Sequence, residues 1–143
     1  MAPSIFRSPP LRAARRLLAD VGLPADDLAA QRFEHFFGCG EPENPKGIVG
    51  LELHGETGLL RSLAVDVAAR GRGCAKALVA QAERDAREHG VRRLFLLTTT
   101  AADFFARLGY KEIGREHAPA AIRATREFSV LCPSSCTLMV KEI

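Results

Sequence analysis

An α/β domain organised around a central mixed, mostly antiparallel sheet is the fold class that this sequence predicts. Three observations predict it. Residues 60–90 read as strand, turn and helix: apolar Leu60 to Val67, the turn Arg70-Gly71-Arg72-Gly73, then Ala75, Leu78, Val79, Ala82 and Ala86 on one helical stripe before Gly90. The apolar stretch Val91 to Leu97 follows, and a strand reached through a helical crossover must lie parallel to the one before it. Upstream, apolar segments separated by short turn-forming stretches read as antiparallel hairpins.

At 143 residues the chain is expected to form a single domain, 1–143, long enough to bury a full core. Hydrophobic residues at 47% and charged residues at 26% are ordinary for a globular chain. The net charge of +3, with basic and acidic residues interspersed, argues against a nucleic-acid partner. No apolar run approaches the ~20 residues of a membrane span. Arg12, Arg15 and Arg16 interrupt what would be the apolar centre of a secretory signal. A cytoplasmic protein with no membrane partner is therefore expected. Cys39, Cys74, Cys132 and Cys136 lack paired metal-ligand spacing, so reduced thiols and no metal are expected.

Taken in order, Ile5-Phe6-Arg7 is a short strand. Ser8 is then placed as a helix N-cap, with Pro9 at the first helical position. Leu11, Ala14, Leu17 and Leu18 form the apolar face of that helix, and Gly22 with Pro24 ends it. A second helical turn is expected over 26–31. Residues 32–39 and 46–54 make a hairpin about a turn at 40–45, and Gly55-Glu56-Thr57-Gly58 returns the chain into the central strand. After the strand ending in Thr98-Thr99-Thr100 comes a short helix over 101–108, stopped by Gly109. A brief strand from Tyr110 to Ile113 follows. A helical segment over 119–131 and a last strand over 136–143 complete the prediction.

The turn carries the chemistry. A strand, a glycine turn and a helix amino end together present unpaired N–H groups and a favourable dipole to an anion. Arg70, Arg72 and Lys76 add fixed positive charge. A mononucleotide loop would require a lysine and a hydroxyl residue at set spacing after the glycines, and the sequence lacks it. A dinucleotide fingerprint fails at its third glycine, where Lys76 stands. What does fit is R-x-x-G-x-A at Arg70, Gly73 and Ala75.

That pattern, behind LRSLAVD and before an amphipathic helix, resembles the acetyl-CoA signature of the GNAT superfamily of N-acetyltransferases. F-F-A-R-L-G-Y at 104–110 is similar to the family's aromatic element beside the cofactor. The set L-L-R-S-L-A-V at 59–65, L-L-T-T-T-A at 96–101, A-P-A-A-I-R-A-T-R-E-F at 118–128 and L-C-P-S-S at 131–135 further resembles the short arsenic-resistance (ArsN-type) branch. The resemblance implies six to seven strands flanked by helices, with strands four and five splayed around acetyl-CoA as cosubstrate.

It also implies residue roles. Leu63, Ala64, Val65 and Val67 would offer backbone groups to the pantetheine arm, their side chains serving equally as core. Arg70, Gly71, Arg72, Gly73, Cys74, Ala75 and Lys76 would hold the pyrophosphate, with Thr100, Phe104 and Phe105 beside the cofactor. Amine acetylation requires a neutral nucleophile and gains from a proton for the leaving thiolate. Glu52, which interrupts an apolar strand, is the candidate base; a solvated strand position is the alternative. Phe105 falls where many family members carry a tyrosine and has no proton to give. Tyr110, Thr98 or water remain as proton donors. Arg61 is placed to bind a substrate carboxylate or to pair with Glu52, and Thr99 and Arg123 are candidates for the acceptor pocket. His35 either lines that pocket or lies exposed at a sheet edge. The implied activity is acetylation of a small-molecule primary amine, detoxifying an organoarsenical amino acid or similar antibiotic, in a possible homodimer. Rival readings are a polyamine or protein acetyltransferase, and an acyl-CoA sensor or arsenite-binding protein without turnover.

Overall fold

A computed structural model describes residues 4–22, 33–125, 128 and 136–143. In chain order the elements are β1 (Ile5–Arg7), α1 (Leu11–Asp20), β2 (Phe36–Glu41), β3 (Asn44–His54), β4 (Thr57–Val65), α2 (Cys74–Glu88), β5 (Arg93–Thr98), α3 (Ala102–Arg107), β6 (Lys111–Ile113), α4 (Ala120–Arg123) and β7 (Thr137–Glu142). The strands form one mixed sheet of seven in the order β1-β2-β3-β4-β5-β7-β6. The predicted fold class holds, with β4 and β5 parallel. Among the described residues no helix is long and apolar enough to cross a membrane. Two compact units divide the chain: residues 1–52 with 62–85, and residues 53–61 with 86–143.

The first unit is a hairpin sheet covered by α1. Ala13, Ala14, Leu17 and Leu18 of α1 are buried, and Ala14, Leu17 and Leu18 cluster with Phe36, Ile48 and Ala64. Alanine, leucine and arginine are strong helix formers, and the i, i+3, i+4 spacing of the apolar residues places them on one face. Each fully buried leucine or phenylalanine there contributes about 1.5–3 kcal/mol. The helix starts later than Ser8 and Pro9 suggest. Pro10 is the N-cap, and its ring has no oxygen to accept a helix N–H. Ser8 instead has φ 61, and its N–H donates to the Phe36 carbonyl at 2.9 Å, so the β1–β2 ladder claims it. The turn expected over 26–31 lies outside the described residues.

Strands β2 and β3 pair antiparallel with a register shift between Cys39 and Gly40. The hairpin is tighter than expected, since β2 reaches Glu41 and β3 resumes at Asn44. Two glycines of β3 hold their places for steric reasons. A Cβ on Gly50 would lie 2.4 Å from the Phe36 ring, which covers it across the register pair Phe36↔Gly50. A Cβ on Gly47 would lie 2.7 Å from the sulfur of Cys74, the first residue of α2. The buried stripe of α2 therefore begins at Cys74; Ala75, expected on it, is only half-buried.

The second unit pairs β4 with β5 from Thr57↔Arg93 to Leu60↔Leu96. Strand β7 enters between β5 and β6, antiparallel to both. Leu59, Phe95, Ala118, Ile122 and Leu138 form this unit's core cluster. Strand β5 begins at Arg93 rather than Val91, because Gly90 at φ 85 closes α2 and the Val91 N–H still caps the Ala86 carbonyl. Of the helix expected over 119–131, the described part is the single turn Ala120–Arg123, beginning after Pro119.

Gly50→Ala is expected to push the Phe36 ring out of place and to cost about 1–3 kcal/mol. A cooperative melt reads this directly; an unchanged Tm would refute the contact. A second expectation concerns pH. Burial, then the hydrogen bond and charge of neighbouring Cys39, push the Cys74 thiol from 9.0 up to about 12. Above pH 9 the unfolded chain has lost this proton and the folded chain keeps it, so stability is full below pH 9 and falls as pH rises towards 12. Denaturant melts across that window should show a shallower fall for Cys74→Ala than for the wild type.

Candidate active site

The first unit carries the glycine turn. Strand β4 ends at Val65, and the Asp66 N–H donates to the Lys46 carbonyl at 2.7 Å. The Asp66 carboxylate then caps the Ala68 N–H at 3.1 Å, which curls Val67–Ala69 into one helical turn. Arg70 is extended, at φ −66 and ψ 152. Gly71 and Gly73 follow at φ 81 and 83, the left-handed region that disfavours residues with a Cβ. No atom lies within 4 Å of the direction a Cβ would take at either glycine. Their conformation, not crowding, demands glycine, and the space before them is open to a ligand.

Helix α2 begins directly after. The Ala77 N–H donates to the Gly73 carbonyl at 3.0 Å, so the N–H groups of Cys74, Ala75 and Lys76 precede the helical ladder. At fifteen residues the helix is long enough to carry a full dipole. Arg70, Arg72 and Lys76 are exposed around it, as is Val67 at 66%. Left-handed glycines, helix N–H groups and exposed cations suit a diphosphate, and acetyl-CoA carries one. Glu52, also in this unit, is half-buried on β3 and is engaged by a partner.

One feature of β4 escaped the sequence. Ser62 has φ 59 and is buried. A strand residue in that region rotates the strand and breaks its alternation. Arg61 and Ser62 are accordingly both buried, Leu63 is half-buried, and Ala64 and Val65 are both buried again. Nothing in the residue type serine announces this.

In the second unit, β5 ends in the threonines. Thr98 is half-buried, and its hydroxyl accepts the Ala101 N–H at 2.9 Å, leading the chain into α3. Thr99 and Thr100 are exposed. Phe104 and Phe105 meet edge-to-face at 5.1 Å, and Phe105 meets Tyr110 at 5.6 Å. Tyr110 is 2% exposed, with the Lys141 ammonium 5.6 Å from its ring centre. These three rings form a packed ladder, the geometry that aromatic quadrupoles favour. Arg61 is buried on β4 and engaged. Arg123 is exposed, and its guanidinium donates to the Glu116 carbonyl.

His35 is not the exposed edge residue that the second expectation described. It sits in a short helical turn, 13% exposed, with Nδ1 3.4 Å from the Asp85 carboxylate. Arg7 pairs with the same carboxylate at 3.2 Å. Asp85 is a buried acid on α2, seven residues after Leu78, and that helical spacing was its one available signal.

Residues 7–110 match the acetyltransferase (GNAT) family. An uncharacterized N-acetyltransferase of Chlorobaculum tepidum is 44% identical over 63 residues, covering 44% of this chain and 40% of that protein. The matched segment thus spans well under half of that relative's length. Among solved structures, Rv2747 from Mycobacterium tuberculosis, in complex with CoA, superposes with TM-score 0.81 at 23% identity, over 99% of both chains. N-acetylglutamate synthase from Neisseria gonorrhoeae, complexed with coenzyme A and N-acetyl-glutamate, also gives 0.81 at 21% identity, over 99% of this chain and 35% of that one. At such identities the structures speak for the fold. The family match covers most of the chain: it belongs to the acetyltransferase (GNAT) family, whose members transfer acetyl groups from acetyl-CoA.

Proposed function

We propose that this acetyltransferase acts on the primary amine of a small, amino-acid-like molecule. The observation that carries the cosubstrate half of this reading is the turn itself: two left-handed glycines with open Cβ directions, running into a fifteen-residue helix. The residues present fit a coenzyme diphosphate. The N–H groups of Cys74, Ala75 and Lys76 would hold its oxygens, and Arg70 and Arg72 would balance its charge.

The acceptor half rests on narrower support. Arg61 is a buried cation on β4, suited to orienting a carboxylate beside the reacting amine. The gonococcal synthase of like fold was solved with an acetylated amino acid, which favours the same acceptor class. The motifs at 59–65, 96–101, 118–128 and 131–135 resemble the arsenic-resistance branch, and an organoarsenical amino acid is our proposed acceptor within that class.

In the proposed reaction the amine nitrogen attacks the thioester carbonyl carbon, the carbon–sulfur bond breaks, the thiolate leaves, and the nitrogen sheds one proton to solvent as the amide forms. Glu52 takes the ammonium proton before attack, directly or through water. Tyr110 and Thr98 are the side chains proposed for returning a proton to the thiolate. Tyr110 is committed to the ring ladder and Thr98 to the Ala101 N–H, which favours water as the donor.

Acetyl-CoA at a hundred times its dissociation constant should stabilise the wild type by about 2.7 kcal/mol. Gly73→Val is expected to remain folded, with about 1–2 kcal/mol of backbone strain, and to lose the stabilisation by acetyl-CoA. An equal thermal shift in both proteins would remove the turn from the cosubstrate site. Release of free thiol on addition of an amino-acid-like amine would then test the acceptor class. Glu52→Gln should slow that release most at neutral pH and least in alkali, where free amine is abundant; an unaltered pH–rate profile would dismiss Glu52 as base.

A further inference from the structure

Cys39 and Cys74 come from distant parts of the chain and meet in the first unit. Cys39 pairs across the hairpin with Gly47, and the sulfur of Cys74 rests where Gly47 lacks a Cβ. The two thiols are neighbours, both reduced and both buried, at 4% and 5% exposure. They are not sealed in the core. A cavity of about 310 Å³ opens beside them, lined by both cysteines together with Ser4, Lys46 and Arg72.

We propose that Cys39 and Cys74 form a chelating dithiol site for a soft, two-coordinate d¹⁰ cation, with Cu(I) as the ion the surrounding charge favours. Thiolate sulfur is the ligand such ions select. Among the described residues no group of three or more His, Cys, Asp or Glu could hold a metal, so the pair suits an ion content with two ligands and not one that requires four.

The charge decides among the soft ions. Two thiolates around a monovalent cation leave one net negative charge, and Lys46 and Arg72 line the same cavity to balance it. A divalent ion would leave a neutral complex, which gains no such attraction from the neighbouring cations. On binding, two S–H bonds break and two S–Cu bonds form; about two protons leave to solvent and copper stays in its +1 state. Because each thiol must shed its proton to bind, binding strengthens with pH.

The test uses the full chain, reduced and free of oxygen, with Cu(I) supplied on a chromophoric chelator whose colour fades as copper is withdrawn. Wild type and a Cys132→Ser/Cys136→Ser variant should each withdraw one equivalent, more strongly as pH rises. Cys39→Ser and Cys74→Ser should each leave most of the copper on the chelator. Retention of wild-type withdrawal by either single variant would overturn the proposal, and so would failure of the wild type to withdraw any. Should a serine variant not melt cooperatively, Cys39→Ala or Cys74→Ala replaces it. The Cys132→Ser/Cys136→Ser protein also decides independently: about two protons released per copper support the site, and none released refutes it.

Discussion

The seat of the Cys74 sulfur against Gly47 governs much of the first unit. A glycine in β3 leaves room for one side chain, and the residue that fills that room is the first of α2. Leu78 and Val65 close in at 3.1 and 3.2 Å of the same point, so helix, β3 and β4 converge on an absent Cβ. Interiors packed to crystal density transmit such a constraint because little else can move. With β4 and α2 both fixed there, residues 66–73 have few ways to join them, and the two left-handed glycines are part of the solution. The glycine turn is thus shaped from behind as well as by its own residues.

That dependence explains why the turn was legible in the sequence and its support was not. Strand, glycine pair and amphipathic helix are contiguous, and each follows from local spacing and local conformational preference. The partner that fixes them, Gly47, lies in another strand, and nothing in the sequence singles it out among twelve glycines. Asp85 was hidden for the same reason. Its role appears only when β1 delivers Arg7 and the turn before β2 delivers His35. Ser8 misled because its capping chemistry is real, but the β1–β2 ladder uses its N–H first. Ser62 gave no signal because its backbone angle answers to its place in the strand.

In the second unit, the aromatic ladder and the threonines show how packing narrows chemical choice. Tyr110 is the only tyrosine of the chain, and its ring is held between Phe105 and Lys141. Thr98 spends its oxygen on the helix that carries Phe104 and Phe105. The side chains proposed as proton donors are therefore those that also position the segment. In contrast, Arg70, Arg72 and Lys76 stay exposed on a rigid support, the arrangement in which charge is available to a ligand at little reorganisation cost.

The place of β7 bears on how the molecule is made. It is the latest of the described strands, yet it stands between β5 and β6 and hydrogen-bonds to both. While a ribosome is still adding residues 114–136, β6 has no neighbour to pair with and one edge of β5 is bare. That side of the sheet must wait for synthesis to reach Thr137, and pairings so distant in sequence close slowly. The nascent protein thus passes through a stage with open strand edges, the state most exposed to aggregation and to chaperones.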